Sequence, residues 1–240
     1  MEKEKDEAKL WEVLRPKLKK DFRYNKNWRE AIELFTKRFK VKYFNPIEKL
    51  IEQDWLEGEG FAILTIQCSL IEAFATLKTG QIFMHDRKEL SKKKYYYNSS
   101  KKIYTDFLKV ELIFKDHFWT EDLSQPNGKA KQSPFEPDDF YSDVRCGLVH
   151  EARTKGKWII NAEKLSKTNP GQTQFIIKDG DQLKIYRTIL HYRLLAYLDS
   201  YCKQLEEQGN KHLRMYFARK MDHLYGIKAD PNKYPWWIDN

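Results

Sequence analysis

Residues Phe140–Trp158 read FYSDVRCGLVHEARTKGKW. Val144, Leu148, Val149 and Ala152 are apolar and Cys146 and Gly147 are small, so most of this stretch reads as a buried helix. The pattern stops at Lys155–Gly156. Beyond it, KWII (Lys157–Ile160) and QFIIKDG (Gln174–Gly180) are short β-type runs with a turn signal at Asp179–Gly180. A late helix that hands over to a small hairpin, in a chain whose other segments have helical spacing, decides the fold class. Two residues do not suit a plain core helix: Arg145 and His150, five positions apart.

On an ideal helix such residues point roughly 140° apart, with Cys146 and Val149 between them. One chain then offers a broad face, cation on one side and imidazole on the other. A second copy related by a two-fold axis is the simplest way to close that face into a site, and Gly147 lets another backbone come near. The pair suits RNA cleavage. A neutral imidazole takes the proton of a ribose 2′-hydroxyl, and a guanidinium stabilises charge on the phosphoryl oxygens. Neither a metal nor another cofactor is expected, because the six histidines form no HExxH or close pair. The plainer alternative is structural: Arg145 satisfying helix-end carbonyls or an acid, and His150 hydrogen-bonded in a core.

Outward from this stretch, spacing predicts a charged N-terminal helix with Leu10, Trp11, Val13, Leu14 and Leu18 as its apolar set, broken near Pro16. An amphipathic helix follows over Asn27–Phe39, with Trp28, Ile32, Phe35 and Phe39 on one side, then a short one over Pro46–Trp55. FAILTIQCSLIEAFATL (Phe61–Leu77) carries Gln67, Ser69 and Glu72, which suits a core helix better than a membrane span. Helical spacing resumes over Ile103–Trp119, and Thr120–Asp139 is a polar loop with three prolines. A long helix is expected over Gln182–Leu205, with Ile185, Ile189, Leu194, Leu198 and Leu205 as its core face. Another is expected near Lys211–Leu224, before an aromatic tail, ADPNKYPWWIDN, that packs on the outside. The sum is a mainly α helical bundle with a minor β element.

The 240 residues are enough for a substantial core without disulfides. With 44 Lys and Arg against 35 Asp and Glu, the net charge of +9 suits a polyanionic partner such as RNA, although a soluble protein can also simply be basic. Cys68, Cys146 and Cys202 are odd in number and widely spaced, which argues for reduced thiols in a cytoplasmic protein. The opening MEKEKDEAKL is charged from its second residue, unlike a signal peptide, and no membrane partner is expected.

RCGLVH (Arg145–His150) resembles the Arg-x4–6-His motif of HEPN domains, which are all-α bundles found in bacterial toxins, CRISPR-associated ribonucleases and anti-phage systems. The longer FYSDVRCGLVHEARTKGKW resembles the variant in which this helix leads into a short hairpin and a terminal helix. GEGFAILTIQCSLIEAF (Gly58–Phe74) resembles an earlier core helix of the same group. The likeness covers roughly Asn27 to Leu205. It implies an extension over 1–26, a HEPN-like domain over 27–208 with its hairpin before the long late helix, and a C-terminal helical extension and tail over 209–240. It also implies a homodimeric, metal-independent endoribonuclease of a defence or toxin–antitoxin system, with Arg145 and His150 catalytic, and an antitoxin or another defence protein as a further partner. The position after Arg145 holds Cys146, where active members often carry Asn, Asp or His. Other members bind nucleotide, RNA or a partner protein without cutting.

Several residues support this reading, each with a plainer alternative. Glu72, if buried, needs a partner, and Arg145 is the obvious one; otherwise it faces water. Asp143 and Glu151 either orient His150 or pair with Arg145, or are solvent-facing helix charges. Arg153, Lys155 and Lys157 contact RNA phosphates or favour a helix end. In SKKKYYYNSSKK (Ser91–Lys102), Lys93, Lys94 and Tyr96 represent a phosphate-contacting, base-stacking run, or a solvated linker whose tyrosines cover the bundle.

Overall fold

The computed structural model describes residues 2–19, 26–53, 57–91, 93–118, 135–162 and 173–227. The aromatic tail and most of the proline-containing loop lie outside the described residues, as do Trp55 and Trp119. The fold is mainly α, with small sheets. By internal packing the chain forms two compact units. One is Met1–Lys42 with Ala73–Ser99 and Leu198–Asn240; the other is Tyr43–Glu72 with Ser100–Tyr197.

In the first unit, α1 (Glu2–Leu14) ends in a 3₁₀ turn at Arg15–Lys17, where Pro16 cannot extend an α-helix. Its buried stripe is Trp11, Leu14 and Leu18, whereas Leu10 and Val13 from the expected apolar set are 45% and 54% exposed. α2 (Lys26–Phe39) buries Trp28, Ile32, Phe35 and Phe39, the four residues its spacing singles out. With Phe217 of α10 (Lys211–Leu224) these rings build an aromatic core. Phe217 lies 5.3 Å from Phe35, 6.0 Å from Trp28 and 6.2 Å from Trp11, in edge-on or tilted contacts that favour the ring quadrupoles. Inside that core Asp222 accepts from the Trp11 indole at 2.7 Å and from Arg15 at 2.9 and 2.6 Å. Two short strands, β1 (Ile82–Phe83) and β2 (Tyr96–Tyr97), pair in parallel around the single turn α5 (Arg87–Leu90).

After α2 the helix does not stop. It widens into a π turn at Lys40–Phe44 and continues as α3 (Asn45–Gln53). Pro46 has no N–H to give the preceding turn, and its ring crowds the carbonyl there. A widened turn just before it relieves both problems.

In the second unit, the first part of α4 (Glu59–Thr79) bonds to the start of α9 (Arg187–Glu206) and to the helix that carries the motif, and α6 (Ser100–Val110) belongs to the same unit. α4 is long and apolar enough to cross a membrane by length and composition alone, yet 56% of its apolar window is buried inside the protein, as in a core helix. Gln67 is buried on it and donates to the Arg187 carbonyl at 2.7 Å. The helix expected over Ile103–Trp119 ends at Val110 instead. Turns at Glu111–Phe118 keep a helix-like spacing, so Phe107 and Phe114 both stay buried, 5.9 Å apart. Periodicity alone could not separate the two.

The hairpin is formed by β4 (Ile176–Asp179) with β5 (Gln182–Tyr186), joined through Gly180 at positive φ; its second strand falls in residues expected to be helical, and the KWII run is not its partner. β3 (Trp158–Asn161) joins β5 in parallel, giving the order β3-β5-β4. The long helix therefore starts at Arg187, not Gln182. Ile185 and Ile189 are four apart and fit a helix face, but Gln182–Tyr186 gain ladder bonds on both edges as the central strand.

Two histidines, His191 buried and His223 exposed at the end of its helix, give the fold a pH dependence. His191 on α9 lies 3.4 Å from Glu48 of α3; burial pulls its imidazole below the ordinary 6.5, although Glu48 opposes the shift. Burial and then Lys220 likewise lower His223 on α10. Both groups bind a proton more weakly folded than unfolded. They cost nothing well above pH 6.5, and stability is lost as pH falls below that value, where the unfolded chain protonates first. The thermal midpoint is expected to drop between about pH 7 and about pH 5.5. His191→Gln should flatten that drop, and equal slopes for both proteins would contradict the assignment.

Candidate functional site

The motif helix opens with Pro137, whose fixed φ suits a first turn, as α7 (Pro137–Asp139). It widens into a π stretch over Phe140–Cys146 and closes as α8 (Gly147–Glu151). Phe140, Val144 and Leu148 are the buried anchors, and Phe140 sits 5.5 Å from Phe118 and 5.4 Å from Trp158. A π stretch is uncommon and frequently marks a functional position. Here it brings the Tyr141 ring under the guanidinium four residues on, 5.5 Å from ring centre to Cζ.

Arg145 leans into the unit. Its Nη2 lies 2.9 Å from Glu72 Oε2, and the two side chains are 19% and 20% exposed. Burial acts against the charge on Arg145, but Glu72 and Tyr141 outweigh it, and the guanidinium is held above its ordinary value. Nη1 reaches only the Cys146 sulfur, at 3.9 Å, so part of the donor fork stays without an oxygen acceptor among the described residues. Tyr141 is tied by its hydroxyl to Ser100 at 2.9 Å. Nearby, Cys68 and Tyr104 are fully buried, and burial pushes the Cys68 thiol up to about 12, which leaves it protonated and unreactive at neutral pH.

His150 faces the other way. It is exposed in the last turn of α8, makes no hydrogen bond or ion pair among the described residues, and adjoins Val149, itself exposed. The structure thus places the cation half-buried and anchored, and the imidazole in solvent.

Gly147 has an internal reason. A Cβ there would lie 2.5 Å from the Arg153 carbonyl oxygen of the same chain. The backbone that comes close is the chain's own, because α8 ends at Ala152 in the left-handed region (φ 54°) and doubles back so that the Arg153 N–H meets the Gly147 carbonyl at 3.3 Å. Gly147→Ala should therefore cost about 1–3 kcal/mol through overpacking. Ala152→Gly should add about 1 kcal/mol by removing a Cβ from a left-handed cap. Urea unfolding of the two variants checks both signs, and a neutral Gly147→Ala would mean that the loop yields freely.

Asp143 accepts from the Ser142 hydroxyl at 3.0 Å, and its backbone carbonyl takes the Lys155 N–H at 2.9 Å. Glu151 pairs with Arg153 at 3.1 Å and with Lys155, and those cations hold its carboxyl below the usual range. Lys157 is 3.5 Å from Asp181, both exposed. Solvent-accessible pairs of this kind are weak. Lys93 and Lys94 are exposed, and Tyr96 is half-buried on β2 against Tyr95. These three belong to the first unit, whereas Arg145 and His150 belong to the second.

Sequence reasoning missed Tyr141 and Ser100. Tyr141 had a signal, since it stands four residues before Arg145; the π stretch that stacks it there, and the Ser100 partner, had none. No protein-family model, no curated protein and no solved structure matches the chain.

Proposed function

We propose that this chain is a HEPN-type endoribonuclease that cuts RNA without a metal ion, its site completed by two copies. The observation that carries the reading is the division of labour on the motif helix among the described residues: an anchored guanidinium with donors to spare, and an exposed imidazole without a bonded partner five residues on. His150 takes the 2′-hydroxyl proton. The alkoxide attacks the adjacent phosphorus, the bond to the 5′-oxygen breaks, and that oxygen takes a proton. The ends are a cyclic phosphate and a 5′-hydroxyl. Arg145 binds the phosphoryl oxygens as charge builds there, and Glu72 positions Arg145. Arg153, Lys155 and Lys157 hold flanking phosphates. The RCGLVH resemblance supports a role in a bacterial defence or toxin–antitoxin system in the cytoplasm, with an antitoxin or another defence protein as the restraining partner.

One observation favours a second reading, a non-catalytic HEPN-type module that binds nucleotide, RNA or a partner protein. Arg145 is already paired with Glu72, and the next residue is Cys146. End-labelled RNA incubated with the full chain separates the two. The nuclease reading expects cleavage that survives chelator and leaves cyclic phosphate ends, from a protein that sizes as a dimer. Intact RNA bound by the chain would favour the module, and a stable monomer would leave the two-copy site unbuilt.

A further inference from the structure

We infer that the groove between α1 and α2 is a docking site for a cationic amphipathic helix of a partner protein. The groove encloses about 630 Å³ and lies wholly within the first unit. Its apolar lining is Leu10 from α1, Leu34 from α2 and Val41 from the π turn that follows. Leu34 is buried, but Leu10 and Val41 are 45% and 55% exposed, and Val13, one turn beyond Leu10, is also open. This is the apolar half of α1 that its own fold does not use, since Trp11, Leu14 and Leu18 fill the core instead.

Among the described residues, Asp6, Glu7, Glu30 and Glu33 line the same groove, against one cation, Lys37. Glu7 is engaged by Arg38, and Asp6 and Glu30 have only loose exposed neighbours, Lys9 at 3.9 Å and Lys26 at 3.7 Å. Glu33 is exposed with no ion pair among the described residues. A chain of net charge +9 therefore carries an acidic, apolar-floored groove that runs along helices of 13 and 14 residues. Charge complementarity selects Lys or Arg on the occupant's flanks, and the apolar floor selects leucine-like residues at helical spacing. A second copy of this basic chain, a membrane surface and nucleic acid are the competing occupants, and an acidic rim opposes nucleic acid and anionic lipid.

The probe is a fluorescent synthetic leucine–lysine helix of about four turns, titrated into the full chain beside a scrambled peptide of the same composition. The helix should bind roughly tenfold tighter than the scramble, and the combined Glu30→Lys and Glu33→Lys substitutions, at a half-buried and an exposed position, should weaken it roughly tenfold. Equal binding of helix and scramble would overturn the proposal, as would binding that ignores the charge reversal or no binding at all. Val41→Asp should weaken the peptide while leaving the size of the protein in solution unchanged. A change of size would make the groove a contact between copies and refute the inference.

Discussion

His150→Ala is expected to lower RNA cleavage by about 10²–10⁴-fold, the range a positioned general base contributes. The same substitution should leave thermal unfolding within about 0.5 kcal/mol of the parent chain, because an exposed side chain without a bonded partner among the described residues is removed. That separation makes His150 the cleaner probe. Arg145→Ala should abolish cleavage too, but it strips Glu72 of its ion partner at a site only one-fifth exposed, so part of its effect is structural. Arg145→Lys keeps the charge near Glu72 and loses the planar fork. It should hold the fold and fail to restore the rate. Gel analysis of labelled RNA, with unfolding curves on the same preparations, reads both quantities. An unchanged rate for His150→Ala would end the nuclease reading, whatever the fold does.

The largest stability effect is expected at Asp222→Ala, a loss of about 3–5 kcal/mol. Asp222 is 2% exposed and is the carboxylate shared by the Trp11 indole and the Arg15 guanidinium, whose bonds of 2.6–2.9 Å tie α1 to α10. Removing it takes the counter-charge from a cation that is itself 7% exposed, in surroundings too apolar to screen it. Trp11→Phe removes only one donor and keeps most of the ring, so about 1 kcal/mol is expected there. Replacing both ions, as Arg15→Met with Asp222→Leu, should recover much of the loss, because no unpaired charge is left behind. Denaturant unfolding of the three variants decides the case. If Asp222→Ala fell within about 1 kcal/mol of the parent, the pair would not support the fold as described.

How much of this was legible varies with the physical origin of each feature. The stripe Trp28, Ile32, Phe35 and Phe39 was readable because one periodic face meets one core. The span Lys211–Leu224 was readable for the same reason. The N-terminal helix was half readable: its apolar residues were visible, but which of them face inward depends on where α2 and α10 lie, and Leu10 and Val13 fall outside. The ends of α6 and α9 were misread because Phe114 and Ile185 keep helical spacing in a turn and in a strand. Spacing records which positions are buried, not which hydrogen bonds bury them. At the candidate site, Arg145, His150 and the partner Glu72 follow from residue chemistry, whereas the closeness of Gly147 to the chain's own Arg153 carbonyl depends on the turn that ends the helix.

The sequence by itself determined the mainly helical class, the break into β-type runs after Lys155–Gly156, and the presence of a guanidinium and an imidazole in one apolar helix. Composition and short-range period suffice for those. Only the tertiary structure decided that the helix widens at Phe140–Cys146, that Arg145 turns toward Glu72 while His150 remains in solvent, and that β3 joins the hairpin in parallel. Each of these depends on partners far away along the chain: 73 positions separate Arg145 from Glu72. Local propensity carries no information at that range, and only packing can supply it.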